Sequence, residues 1–102
     1  MTTITAEEVK KRMDEGEKLN ILDVREPYEN LEFNIGGQLI PLGKIQQMQI
    51  DDIEDWKEEE VIVYCRSGNR SGQACMFLET AGFTNVKNLV GGMLNWRDKF
   101  KV

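Results

Sequence analysis

The stretch of this chain best equipped for chemistry is Cys65-Arg66-Ser67-Gly68-Asn69-Arg70-Ser71, which follows the β-branched run Val61-Ile62-Val63 and precedes Gln73-Ala74-Cys75-Met76-Phe77-Leu78. That order reads as strand, compact polar loop, helix. A thiol just past the carboxyl end of a buried strand stands where open parallel sheets bind their ligands. Loop N–H groups, the positive end of the next helix and the guanidinium groups of Arg66 and Arg70 would all favour thiolate over thiol there. Gly68 takes φ > 0 without penalty and Asn69 tolerates it, so Ser67-Gly68-Asn69 can curl the backbone and turn its amides inward. The result is an anion-holding cradle with sulfur at its floor, and Arg66, Ser67, Gly68, Asn69, Arg70 and Ser71 are its candidate substrate contacts. The competing reading makes Cys65 a small core residue at a strand end, the common fate of a lone cysteine. A core position has no need of two arginines and a glycine turn, and the reactive reading is preferred for that reason.

The flanking elements must hold that loop in place. Val61, Ile62 and Val63 suit a strand buried on both faces, and the helix over about Arg70 to Ala81 stops at Gly82. Upstream, Thr5 and Glu8 form a capping box, Ile4 and Val9 a staple, and a helix runs from about Ala6 to Glu15 with Gly16 as its stop. Leu19 to Val24 reads as a strand, and Pro27 opens a short helix through Glu29 and Leu31. Asp23 and Arg25 thereby stand at a second strand end; read alone, they are equally a turn aspartate and a surface arginine. Gln38–Ile40 is a short edge strand, because Pro41 cannot donate to a ladder. Ile45, Met48, Ile53 and Trp56 suggest one or two short amphipathic helices, with Asp51 and Asp52 at a helix start. Phe83 to Val90 gives the last strand, and Gly91-Gly92 leads to a segment packed through Trp96. Strands alternating with helices imply an α/β fold with a parallel sheet covered on both faces.

Composition narrows the chemistry. The chain has 102 residues, 40% of them apolar, which suits one domain over 1–102. Thirteen Lys and Arg against 18 Asp and Glu leave a net charge of −5, which argues against a nucleic-acid partner. No apolar run approaches the ~20 residues needed to span a membrane, and no leader-like start is visible, so a cytoplasmic location is expected. With no histidine in the chain, Cys-His and Ser-His-Asp arrangements and imidazole-based zinc sites are excluded, and a nucleophile must be activated electrostatically. The acidic run Asp51-Asp52-Ile53-Glu54-Asp55 lacks the spacing of a calcium loop, so no metal and no cofactor is expected. Cys75 falls in an apolar helical pattern and reads as packing, with a resolving thiol as the lesser alternative.

The Cys65–Arg70 loop resembles the active-site loop of the rhodanese family of sulfurtransferases, which place four residues between cysteine and arginine; related phosphatases place five. Asp23-Val24-Arg25-Glu26-Pro27-Tyr28-Glu29 is similar to a second rhodanese signature, and Gly82-Phe83…Asn85-Val86 with Leu89…Gly91-Gly92-Met93…Trp96 is similar to the family's end. The resemblance spans nearly the whole chain. It implies a three-layer rhodanese-like domain, with a mostly parallel sheet of about five strands, and puts Asp23 and Arg25 beside the active loop. The segment 33–42 departs from the pattern: Asn34 stands near a usual histidine, structural in the family, and Gln38 near a usual small residue. What the resemblance implies is thiosulfate-type sulfur transfer through a persulfide on Cys65. Its substrates would be a small anionic donor, attracted by Arg66 and Arg25, and a thiol or cyanide acceptor. A non-enzymatic persulfide carrier or interaction module, served by a sulfur-relay protein, is the alternative. Arg70 is expected to tie loop carbonyls together, and Arg66 to face solvent. Phosphatase or arsenate-reductase chemistry is disfavoured by the tighter loop.

Overall fold

The computed structural model describes residues 1–101. Five strands, β1 (Thr2–Ile4), β2 (Ile21–Asp23), β3 (Gln38–Leu39), β4 (Glu60–Tyr64) and β5 (Asn85–Leu89), form one sheet in the order β1-β5-β4-β2-β3. Every pairing in it is parallel. The helices are α1 (Ala6–Asp14), α2 (Pro27–Glu32), α3 (Leu42–Gln46), α4 (Asn69–Thr80) and α5 (Gly92–Phe100), with a 3-10 helix at Asp51–Trp56.

The strand β4 is central in that order and is covered on both sides: Val61, Ile62, Val63 and Tyr64 are all fully buried. Its side chains alternate between two cores. Val61, Val63 and Cys65 pack with Ile45, Ile53, Ala74, Cys75 and Leu78 under α3, the 3-10 helix and α4. Ile62 and Tyr64 pack with Ala6, Val9, Met93 and Trp96 under α1 and α5. The sheet with helices on both faces is therefore the α/β layering expected of the alternating sequence pattern.

Local signals account for most boundaries. Thr5 caps α1, its hydroxyl accepting the Glu8 N–H at 3.1 Å, and Pro27 opens α2. The structure differs from the sequence reading in two elements. Thr2–Ile4 is a strand, not merely the approach to a cap, because β5 offers a free parallel edge on which Thr3 pairs with Asn88. Met48 does not face inward: α3 ends at Gln46, and Met48 turns with φ +58° and is 43% exposed.

Candidate active site

Cys65 follows the last residue of β4, and the loop Arg66–Gly68 carries the chain into α4. The Cys65 sulfur receives the Gly68 N–H at 3.1 Å and lies 3.3 Å from the Ser71 hydroxyl. Gly68 adopts φ +108°, the left-handed turn that points its amide back at the sulfur. Asn69 does not share that conformation; it is the first residue of α4, so one left-handed residue suffices where the sequence suggested two.

The cysteine is only 1% exposed. Burial by itself raises its pKa, yet the thiol is held below its ordinary value. The Ser71 hydroxyl and then the backbone N–H groups of Ser71, Gly68 and Ser67 outweigh the burial. The loop N–H groups thus act in the direction expected of them, and the Ser71 hydroxyl adds a donor that sequence reasoning had not given this role. Cys75, in the core beneath, has no such donors, and burial pushes its thiol up to about 12.

Arg70 corrects an expectation. Its guanidinium makes a bidentate pair with Glu29 of α2, at 2.8 and 3.0 Å, instead of binding loop carbonyls. The Arg70 hydrogen bonds hold the Glu29 carboxyl down to about 2. Arg70 therefore ties α2 to the start of α4, and Arg66 and Ser67 are exposed on the loop between.

The loop carbonyls are held from elsewhere. Met93 N–H donates to the Cys65 carbonyl at 2.9 Å and Leu94 N–H to that of Arg66 at 3.0 Å, so the first turn of α5 grips the loop. Gly92 permits this contact: a Cβ there would lie 2.5 Å from the Cys65 carbonyl oxygen. Asn88, on β5, donates from Nδ2 to the Gly68 carbonyl at 3.0 Å and takes the Ser71 hydroxyl on Oδ1 at 2.5 Å. Sequence reasoning assigned neither Asn88 nor Gly92 to the site. The Gly-Gly pair was the available signal, since β5 and β4 are neighbours and their carboxyl ends must meet.

Asp23 and Arg25 are brought together, but deep in the scaffold. Asp23 is fully buried and accepts from Arg25 N, Nε and Nη2, from Asn30 Nδ2 at 2.9 Å and from the Tyr64 hydroxyl at 3.1 Å. Burial, and next the Asp23 charge, push the Tyr64 hydroxyl up to about 12, so it remains a donor. Arg25 also donates to the Phe33 carbonyl at 2.6 Å, closing the end of α2. Asn34 supplies the turn that follows, accepting the Gly36 N–H at 2.8 Å and donating to the Asn30 carbonyl at 3.0 Å. Arg25 further lines a cleft of about 250 Å³ with Glu29, Phe33, Arg66, Met93 and Arg97. Among the described residues, no group of three or more Cys, Asp or Glu is placed to hold a metal ion. None of the described helices is long and apolar enough to cross a membrane.

A profile of the rhodanese-like domain matches residues 5–99. The chain belongs to that family. It is 35% identical over 94 residues to a sulfurtransferase of Allochromatium vinosum, covering 91% of this chain and 85% of that protein. It is also 38% identical over 97 residues to YrkF of Bacillus subtilis, provisionally named a sulfur carrier protein. That alignment takes in 94% of this chain but only 51% of YrkF, so the chain spans about half the length of that relative. Among solved structures, the rhodanese-like domain protein from Staphylococcus aureus superposes with a TM-score of 0.82 at 30% identity, over 94% of this chain and 91% of that one. SSP1007 of Staphylococcus saprophyticus gives 0.82 at 32% identity, over 97% and 96%. Relatives of this rhodanese-like chain are thus named sulfurtransferases or sulfur carriers.

Proposed function

We propose that this rhodanese-like protein, read as one domain over 1–102, moves a sulfane sulfur through a persulfide on Cys65. The observation that carries the reading is the sulfur itself, buried at the floor of the loop with the Gly68 N–H and the Ser71 hydroxyl against it, which hold its thiol below the ordinary value. The Cys65 thiolate attacks the outer sulfur of thiosulfate, the new S–S bond forms as the old one breaks, and sulfite leaves with the electron pair. A thiol or cyanide then attacks the outer sulfur of the persulfide, and the Cys65 thiolate returns. Loop amides stabilise charge on the bound sulfur; Arg66, exposed at the mouth, attracts the anionic donor. Arg25 contributes less to that attraction, since Asp23 offsets its charge at 2.9 Å. Unpaired Cys65 and Cys75 suit a reducing compartment such as the cytoplasm.

Only four residues lie between Cys65 and Arg70, and amides must come within roughly 3 Å of the charge they stabilise, so the ring suits one sulfur better than a phosphate. Intact mass of a Cys75→Ser variant after exposure to thiosulfate tests the reading: one added sulfur atom, located on Cys65, is expected, with no release of nitrophenol from an aryl phosphate. An unmodified Cys65, or phosphatase turnover, refutes it.

A second reading, a carrier loaded by a partner protein, is favoured by the 1% exposure of Cys65 and by the likeness to YrkF. Slow turnover with thiosulfate and cyanide, alongside fast sulfur transfer from a persulfidated protein donor, would select it.

A further inference from the structure

The Ser71 hydroxyl has one proton and two neighbours able to accept it. Its oxygen lies 3.3 Å from the Cys65 sulfur and 2.5 Å from Asn88 Oδ1. The orientation of the Asn88 amide decides which neighbour is served. Its Nδ2 faces the Gly68 carbonyl at 3.0 Å, and the flipped amide would set oxygen against oxygen there. Oδ1 therefore faces Ser71 and must be met by the hydroxyl proton.

We infer that Asn88 is a positioning residue for Cys65, orienting the Ser71 hydroxyl and competing with the sulfur for its single proton. The inference rests on the reading that Cys65 is the reacting atom. While Cys65 is a thiol, the chain runs S–H to Ser71 Oγ and Ser71 O–H to Asn88 Oδ1, and each proton has its own acceptor. When Cys65 loses its proton, the Ser71 hydroxyl must turn to the sulfur, and Asn88 Oδ1 is left without it. Forming the thiolate thus costs the Ser71–Asn88 hydrogen bond. In a persulfide the negative charge moves to the outer sulfur, and the Ser71 proton is free to return to Asn88. Asn88 so opposes the bare thiolate and not the loaded form. Through the Gly68 carbonyl it also steadies the residue whose N–H meets the sulfur.

The other charged and titratable groups around Cys65 are Arg66 in the loop, Arg70 and Cys75 on α4, Glu29 on α2 bound to Arg70, and the Asp23–Arg25 pair with Tyr64. Four proteins share all of these except Cys75: the Cys75→Ser parent, and the same protein carrying Asn88→Ala, Ser71→Ala or both. Alkylation of Cys65 by iodoacetamide is followed against pH in each. Ser71→Ala moves the inflection up. Asn88→Ala moves it further down, or less far up, when Ser71 is present than when it is absent, because only then is a hydroxyl released to the sulfur. Below the inflection this difference reads as a severalfold faster alkylation. Any loosening of the loop through the Gly68 carbonyl acts equally in both backgrounds and cancels. Should Asn88→Ala fail to fold, Asn88→Asp takes its place. Its carboxylate holds the Ser71 proton harder, and the difference between backgrounds changes sign. An equal shift with and without Ser71, or a difference of the opposite sign, overturns the inference. Alkylation reads the thiol and not transfer, so a protein that takes up no sulfur from thiosulfate while showing this difference would reject sulfur transfer alone.

Discussion

Replacing Gly92 by alanine tests whether α5 holds the reactive loop. The added Cβ would lie 2.5 Å from the Cys65 carbonyl oxygen and 2.7 Å from both the Arg66 carbonyl carbon and its oxygen, all of them backbone atoms that cannot rotate away. Restoring an ordinary carbon–oxygen separation of about 3.3 Å requires the start of α5 to retreat by roughly 0.8 Å. The Met93 and Leu94 N–H bonds to those carbonyls begin at 2.9 and 3.0 Å. The retreat would take them to about 3.7 and 3.8 Å, beyond hydrogen-bonding range. Two lost bonds at about 1 kcal/mol each, plus about 1 kcal/mol for a non-glycine residue at positive φ, give a cost of about 3 kcal/mol. Gly16→Ala is the matched control, since Gly16 has φ +81° and nothing within 4 Å of its Cβ position. It should cost only the strain of about 1 kcal/mol. Urea unfolding of both variants checks the ratio, and the alkylation rate of Cys65 should change in Gly92→Ala alone. Equal losses of stability in the two variants, or an unchanged Cys65 in Gly92→Ala, would refute the argument.

In a Cys75→Ser background, Cys65 should titrate below the ordinary thiol value, because its donors favour the thiolate; an alkylation inflection at or above that of a free cysteine would contradict this. Cys75, pushed to about 12, should resist the same reagent at pH 9 until urea unfolds the chain. Its raised value also means that the stability it contributes is complete below the ordinary thiol range and lost as pH climbs through about 12, which alkaline unfolding of the Cys75→Ala variant would expose as a flatter profile. Glu29→Gln should cost about 1 kcal/mol by releasing Arg70 from α2. Glu29 is held down to about 2 from an ordinary 4.5, so its contribution is present above pH 4.5 and fades as pH falls through about 2; acid titration of unfolding in the parent and the variant should converge at the low end of that window. Asp23→Ala should be the most damaging change outside the loop, about 3–5 kcal/mol by chemical denaturation, because it strands a buried Arg25.

What could be read from the sequence was whatever depends on neighbours along the chain. The β-branched run at Val61–Val63, the Thr5 cap, Pro27 at the head of α2 and the glycine turn after Cys65 each act within a few residues, and each defines its element without help from elsewhere. The alternation of strands and helices then leaves little choice but a parallel α/β sheet. Pairings between distant segments were not legible. Thr2–Ile4 is a strand only because β5 has an open edge, and Arg70 could reach either loop carbonyls or a carboxylate until folding brought Glu29 within 2.8 Å. Asn88 carries no signal in its own neighbourhood; it meets Ser71 and Gly68 because β5 lies beside β4 with Val63 opposite Asn88. The sequence by itself determined the candidate cysteine and the loop around it, since a strand, a turn and a helix start are local events. What grips that loop from outside was decided only by the tertiary structure, because hydrogen bonds act over about 3 Å and only the packed fold brings Asn88 of β5 and the Met93 and Leu94 amides of α5 against its carbonyls.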